Sequence, residues 1–227
     1  RWELPDRGMI LPSDFIPIAE ETNLIIEIGE WVLDKVCEDF RLWQRSAADP
    51  GRVSVNLSLK QLRQPNFTKR IGAIMRGHEV SPTSLELEIT ETTLMEDTKR
   101  TIKLLDQLYA LGLHLAIDDF GTGYSSLSAL QQFPISTLKI DKSFVRDVAT
   151  NPDDATIVGT IVQMGRNLNM DVVAEGVENE YQLNFLQRLE CTYVQGLLFG
   201  DPMSAENYLE LLVAQADGTD SYRALFA

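Results

Sequence analysis

The sequence predicts an α/β fold of the (β/α)8-barrel type, and two patterns in its 227 residues support this. From about residue 50 onward, six short β-branched or leucine-rich segments alternate with amphipathic helical segments. Parallel strands need crossover helices, so this alternation predicts a parallel sheet. Within the strands, apolar side chains share one face and polar side chains share the other, most clearly toward the carboxyl end. A barrel explains this, because helices cover its outside and its inner residues converge on one mouth. An open, doubly wound sheet is the alternative.

The elements are predicted in chain order from periodicity and capping residues. Ser13 or Asp14 is the expected cap of a short first helix. A longer helix follows, with an apolar face formed by Ile25, Ile28, Val32, Val36, Phe40 and Trp43. The predicted strands span residues 53–58, 84–90, 113–120, 137–141, 171–176 and 192–196. The predicted helices between and after them span residues 59–77, 92–111, 124–132, 152–169, 178–189 and 204–215.

The helix over 152–169 carries the clearest signals. Asn151 is its expected cap and Pro152 lies in its first turn. Its buried stripe is expected to consist of Ile157, Ile161, Met164 and Leu168. No linker-like stretch divides the chain, so residues 1–215 are predicted to form one barrel domain, followed by a C-terminal tail over 216–227.

Composition and charge exclude several classes of function. With 34 acidic and 20 basic side chains the net charge is −14, which disfavours binding to nucleic acid. No apolar stretch approaches the roughly 20 residues of a membrane span, and no leader opens the chain. We therefore expect a cytoplasmic domain without membrane contact, either free or part of a larger, membrane-anchored protein. Cys37 and Cys191 form no metal or redox motif, and His78 and His114 are too few for a histidine cluster.

Polar residues at the carboxyl ends of the strands form the candidate site. The last inward polar residues of the six strands, with Asp119 after Asp118, are Asn56, Glu88, Asp118, Asp119, Lys139, Glu175 and Gln195. Four of them are carboxylates, and crowded carboxylates usually bind metal or share protons. Without histidine in the set, Mg²⁺ or Mn²⁺ is expected rather than zinc. Two such ions suit the attack of water at a phosphorus atom, which a nearby lysine can assist.

Each of these residues has an ordinary alternative role when it is considered alone. A single acidic residue at a strand end is usually solvated or caps a helix, and Asp119 would cap the turn at Gly121. Asn56 alone would be a turn former, and Lys139 alone would be an ion-pair partner inside a barrel. Gly121 and Gly123 resemble a phosphate loop only weakly, because ordinary flexible turns have the same glycines. The carboxylates become a candidate metal site because they recur on the same face of successive strands.

Several sequence blocks together resemble one protein family. SVNLSLKQL, LELEITE, IDDFGTGYSSL, LKIDKSFV, VVAEGVE and YVQGLLFGDPM follow one another in the order found in the EAL-domain phosphodiesterases of bacterial cyclic di-GMP signalling. The resemblance extends from Arg1 to about Met203. It implies a barrel in which one strand is antiparallel, and an enzyme that hydrolyses cyclic di-GMP to linear pGpG with two Mg²⁺ or Mn²⁺ ions.

The resemblance also implies roles for individual residues. The family's metal ligands fall on Asn56, Glu88, Asp118 and Asp119, and its catalytic residues fall on Lys139 and Glu175. Arg1 and Gln195 match substrate-binding positions. Glu91 matches the residue that holds a loop over about 119–128, including Phe120, Gly121 and Gly123, which links the metal site to a dimer interface in the family.

The resemblance further implies partners and an upstream segment. A homodimer and a fused sensor or GGDEF-type domain are expected. The Glu-Ala-Leu motif, whose glutamate is a metal ligand in the family, is expected just before Arg1, so the barrel lacks its first strand or strands in this chain. A cyclic di-GMP receptor without catalytic activity is the alternative function, and a metal-dependent hydrolase of other specificity is a third.

Overall fold

A six-stranded parallel sheet organises the part of the chain described by the computed structural model, residues 1–6, 8–46, 49–95, 97–123 and 130–216. Its strands follow one another in space in chain order: β3 (Val53–Asn56), β4 (Leu85–Thr90), β5 (His114–Phe120), β6 (Thr137–Ile140), β7 (Asp171–Glu175) and β8 (Tyr193–Gln195). Each predicted strand matches one of these, so the prediction of a parallel α/β sheet is confirmed. Outside the sheet, β1 (Trp2–Leu4) and β2 (Gly8–Ile10) form an antiparallel hairpin.

The helices before and between the first strands are α1 (Pro12–Glu21), α2 (Ile25–Arg45), α3 (Leu59–Leu62), α4 (Phe67–Gly77), α5 (Glu91–Met95) and α6 (Thr98–Ala110). The later ones are α7 (Lys142–Arg146), α8 (Pro152–Asn167), α9 (Glu180–Arg188) and α10 (Ala205–Ala216), and a short 3-10 helix covers Pro82–Ser84. Most of the helix predicted over 124–132 lies outside the described residues, as does all but the first residue of the tail predicted over 216–227.

Some helix starts follow the capping rules, whereas Asn66 before α4 and Asp97 before α6 make no side-chain cap. Asn151 caps α8 by accepting a hydrogen bond from the backbone N–H of Asp153, as predicted. The expected cap of α1 was wrong, because this helix begins at Pro12 and follows Leu11, which makes no side-chain cap. Proline is favoured in the first turn, where its missing N–H costs nothing, so α1 starts there without a capping side chain.

Two predicted helices are each divided in two. The helix expected over 59–77 is interrupted between α3 and α4, where Pro65 removes a backbone donor and Asn66 adopts a left-handed φ of 60°. The helix expected over 92–111 is interrupted between α5 and α6, where Asp97 adopts a φ of 49°. In α8 the buried residues are Val158, Ile161, Val162 and Gly165, so the buried face is rotated relative to the predicted stripe.

The two faces of the sheet differ as the sequence predicts. Leu85, Leu87 and Ile89 of β4 are fully buried on its apolar face, in one continuous core. The other face of β4 carries Glu86 and Glu88, each only 6% exposed. The described sheet contains parallel pairs only, so the antiparallel strand implied by the resemblance is not among its six strands. Within the described residues, no helix combines the length and apolar character needed to cross a membrane.

Candidate functional site

Strand register brings the predicted polar residues to one end of the sheet. Asn56 pairs with Glu88 across β3 and β4, and Glu175 pairs with Gln195 across β7 and β8. Asp118 lies on β5, opposite the last residue of β4. Since the strands are parallel, their carboxyl ends share one edge, which is where the active sites of barrel enzymes lie.

Lys139 occupies the centre of this group. Its Nζ lies 2.8 Å from Oε1 of Glu88, 2.6 Å from Oε1 of Glu175 and 3.1 Å from Oδ1 of Asp118. The lysine is 5% exposed, so these ion pairs are shielded from solvent. Three acidic side chains from three strands therefore converge on a single ammonium group.

A break in the strand geometry places Asp119 beside Asp118. Consecutive residues of a regular strand point to opposite faces. The pairing of β5 with β6 shifts register between Ile117 and Phe120, and Asp119 adopts a left-handed φ of 52°. Carboxylate oxygens of Asp118, Asp119 and Glu175 consequently lie within 4.8 Å of one another.

The electrostatics of the group reflect burial and crowding. Burial raises the pKa of Glu88 and of Glu175, and the Lys139 ammonium offsets part of this. Burial alone would lower the pKa of Lys139, but the carboxylates of Glu88 and Glu175 outweigh it and raise that pKa. Burial and the neighbouring carboxylates of Asp118 and Asp141 raise the pKa of Asp119 to about 6. Lys139 alone thus cannot neutralise the acidic residues around it.

The donor set fits a hard divalent cation. Oδ1 of Asp118 is buried, and despite its distance of 3.1 Å from Lys139 it has no hydrogen-bond partner of acceptable geometry. A buried carboxylate oxygen that receives no hydrogen bond is costly, and a metal cation would satisfy it more fully than the shared ammonium group of Lys139. Oxygen donors of this kind are the preferred ligands of Mg²⁺ and Mn²⁺.

Glu91 connects the site to the segment after β5. It is 2% exposed, and its Oε2 accepts hydrogen bonds from the backbone N–H of Gly121 at 2.9 Å and of Gly123 at 3.1 Å. A Cβ on Gly123 would lie 2.8 Å from the Glu91 carboxyl carbon, so only glycine fits there without displacement. Phe120 is buried beside this turn. Residues 124–129 of the predicted coupling loop lie outside the described residues.

The other predicted site residues lie at the periphery. Asn56 and Gln195 are exposed at the carboxyl ends of β3 and β8, the two edge strands of the described sheet. Arg1 is exposed and directly precedes the hairpin of β1 and β2. The structure thus brings together Glu88, Asp118, Asp119, Lys139 and Glu175, with Asn56 and Gln195 at the edges.

Asp141 is a member of the site that the sequence analysis did not select. Its carboxylate lies beside that of Asp119, from which it can accept a hydrogen bond when Asp119 is protonated, and it caps α7 by accepting one from the backbone N–H of Ser143 at 3.0 Å. Burial alone would raise the pKa of Asp141, but hydrogen bonds from Ser143 and Asp119 and the charge of Lys142 together lower it. The available signal was parity, because Asp141 is two residues beyond Lys139 and has the same strand parity.

Comparisons with known proteins identify the family that this chain matches. The family model described as the EAL domain matches residues 1–202. A bifunctional diguanylate cyclase/cyclic di-GMP phosphodiesterase, MucR of Pseudomonas aeruginosa, is 47% identical over 92% of this chain and 30% of its own length. The cyclic di-GMP phosphodiesterase NbdA of the same organism is 38% identical over 94% of this chain and 27% of its own length.

Solved structures show the same fold. The chain superposes on the PaMucR phosphodiesterase in complex with c-di-GMP with a TM-score of 0.89, at 47% identity, covering 92% of this chain and 84% of that one. The prediction of a barrel-type α/β fold is confirmed by this match. The chain spans about a third or less of the length of the curated relatives named above.

Proposed function

Because this chain belongs to the EAL domain family, we propose that it is the catalytic domain of a phosphodiesterase that hydrolyses cyclic di-GMP to linear pGpG. The observation that carries the proposal is the convergence of Glu88, Asp118 and Glu175 on Lys139 at the carboxyl ends of the strands. The relatives named as cyclic di-GMP phosphodiesterases support the choice of substrate.

Asn56, Glu88, Asp118 and Asp119 would hold the metal, as two Mg²⁺ or Mn²⁺ ions. When bound, such ions lower the pKa of a water molecule and neutralise charge on the phosphate. The buried Oδ1 of Asp118, which receives no hydrogen bond although it lies 3.1 Å from the Lys139 ammonium group, supports this assignment from within the chain.

Lys139 has the role of orienting the attacking water and stabilising charge on the phosphoryl group. Its raised pKa keeps it protonated, so it donates hydrogen bonds rather than accepting a proton. Glu175, 2.6 Å from the ammonium group, is the proposed acceptor of the proton that the water releases. As the new P–O bond forms, the bond from phosphorus to one ribose oxygen breaks, and that oxygen takes up a proton.

The remaining assignments concern substrate, partners and cellular location. Arg1 and Gln195 are proposed to contact the phosphates and bases of cyclic di-GMP. The turn held by Glu91, with Phe120, Gly121 and Gly123, is proposed to link the site to a homodimer interface. Fusion to sensor or GGDEF-type domains is proposed because the matched relatives are much longer than this chain, and a cytoplasmic location completes the proposal.

The test uses the protein that carries this chain, with whatever residues precede Arg1 in its gene, and Mg²⁺ or Mn²⁺. We expect pGpG to form, and Lys139→Ala and Asp118→Asn each to lower kcat by at least about 100-fold. Asp106→Asn, on the exposed face of α6, is the matched control and should retain activity. Tight calorimetric binding of cyclic di-GMP without turnover would instead identify a receptor. Undiminished turnover in both site variants would refute the assignment of the residues.

A further inference from the structure

Gln182 is a buried polar residue that uses both ends of its amide. It is 2% exposed and lies in the first turn of α9. Its Oε1 accepts hydrogen bonds from the backbone N–H of Glu178 at 2.7 Å and of Asn179 at 3.1 Å. Its Nε2 donates to the backbone carbonyl of Arg146 at 3.0 Å. The acceptor half completes a capping box with Asn179, but the donor half reaches a different helix, which capping does not require.

The two segments that Gln182 joins both come directly from the candidate site. The loop over 176–179 begins right after Glu175. Arg146 ends α7, a helix of five residues that starts just after Asp141, the residue in contact with Asp119. A short helix of this kind has little stability of its own, so its position depends on contacts at its ends.

Close packing fixes the opposite end of the same junction. Gly176 has a φ of +70°, and a Cβ placed there would lie 2.6 Å from the Cβ of Lys142 at the start of α7. The loop after β7 is therefore held against α7 at two points, at Lys142 by contact and at Arg146 by the Gln182 amide. Relative movement of the two segments would change the separation of Glu175 from Lys139 and of Asp141 from Asp119.

We infer that Gln182 is a positioning residue, which ties the loop after β7 to α7 and thereby sets the geometry of Glu175, Lys139 and Asp119. This inference rests on the proposed function where turnover is the measurement. Metal affinity and amide hydrogen exchange test it independently of turnover.

Two variants separate the halves of the amide. Gln182→Glu keeps the acceptor, and a glutamate suits this position of a capping box. Only its protonated form can donate to the Arg146 carbonyl, so its defect should grow as the pH rises. Gln182→Leu removes both halves. Gln187→Ala, on an exposed position of the same helix, is the matched control.

We expect Gln182→Leu to lower kcat by about 10- to 100-fold with KM changed less than about threefold, since small misplacements of catalytic groups have effects of this size. Mn²⁺ affinity should fall severalfold, and the Glu178 amide should exchange faster. In Gln182→Glu the Glu178 amide should exchange as slowly as in wild type. The kcat and the Mn²⁺ affinity of this variant should fall further below the wild-type values as the pH rises.

The outcomes distinguish the two proposals. If the wild-type protein hydrolyses no cyclic di-GMP, the proposed function fails, and Mn²⁺ affinity together with the exchange rate of the Glu178 amide decides about Gln182. Wild-type kcat and Mn²⁺ affinity in a folded Gln182→Glu protein at high pH would overturn the positioning role. The same values in Gln182→Leu would overturn it as well, whatever the change in thermal stability.

Discussion

At the scale of single residues, the site depends on backbone conformations that L-residues rarely adopt. Asp119 has a φ of 52°, which costs free energy for any residue with a Cβ, although least for Asn and Asp. This conformation places its carboxylate beside that of Asp118, where the two negative charges repel each other. Both features oppose folding, and both make chemical sense if a cation occupies the site.

The ionisation of Asp119 predicts a pH-dependent stability in the absence of metal. Its folded-state pKa of about 6 lies above its ordinary value of 3.8. Its contribution to stability is therefore greatest when it is protonated and declines as the pH rises from about 4 through 6. In EDTA at pH 7.5, Asp119→Asn should raise the free energy of unfolding by on the order of 1 kcal/mol.

Urea unfolding of both proteins at pH 4.5 and pH 7.5 measures this difference. The stabilisation should shrink at the lower pH, and Asp106→Asn, the exposed control, should change the free energy of unfolding little at either pH. A stabilisation by Asp119→Asn that is the same at both values would contradict the electrostatic explanation.

The turn held by Glu91 predicts a steric effect on activity. In Gly123→Ala the new methyl group would collide with the Glu91 carboxyl group at 2.8 Å and displace it from two backbone N–H groups. We expect kcat to fall at least about 10-fold, because the turn directly follows Asp118 and Asp119. Gly77→Ala, where a Cβ meets no atom within 4 Å, should retain activity. Equal activity of the two variants would show that this turn is irrelevant to catalysis.

At the scale of elements, β4 carries two buried glutamates of different character. Glu86, near the amino end, accepts hydrogen bonds from Arg52 at 3.0 Å, Ser54 at 3.1 Å and Thr137 at 2.6 Å. Glu88, near the carboxyl end, pairs with Lys139 within the acidic cluster. In barrel enzymes, residues at the amino ends of the strands contribute to stability, whereas residues at the carboxyl ends form the active site.

The two glutamates of β4 should therefore respond oppositely to the same change. Glu86→Gln weakens a satisfied network and should lower the free energy of unfolding by about 1–3 kcal/mol with little effect on kcat. Glu88→Gln removes a charge from a crowded cluster, so in EDTA it should be as stable as wild type or more stable, while kcat falls by about 100-fold or more. Urea unfolding and turnover of both variants provide the comparison, and a loss of kcat in Glu86→Gln matching that in Glu88→Gln would contradict it.

The predictability of the elements depends on their length and pattern. Alternation along β4, β5 and β6 predicted both the sheet and the face that carries Glu88, Asp118 and Lys139. Periodicity could not predict α7, because five residues are too few to show a repeat. The shift of register that brings Asp119 beside Asp118 also leaves no mark in the alternation, since the β5–β6 pairing produces it. Pro65 and Asp97 are residue types that often interrupt helices, but the continuous apolar pattern around them predicted uninterrupted helices.

At the scale of the whole molecule, the negative charge of the chain bears on how an anionic ligand reaches the site. The chain has a net charge of −14 and the proposed ligand is a dianion, so the two repel each other at long range. Several of the acidic side chains converge at the mouth of the barrel around a single lysine, and divalent cations would neutralise most of the negative charge there. The rest of the negative charge still opposes the approach of the ligand over the screening length of the solution.

This repulsion predicts how turnover depends on salt. Raising the ionic strength from about 0.01 M to 0.15 M shortens the screening length from about 30 Å to about 8 Å. At saturating Mg²⁺, kcat/KM for cyclic di-GMP should therefore increase severalfold over this range, while kcat at saturating substrate stays nearly constant. Sucrose at matched osmolality is the control for effects other than screening. A decrease of kcat/KM with salt would contradict this prediction and mean that attraction to the metal-loaded mouth outweighs the repulsion by the net charge of the chain.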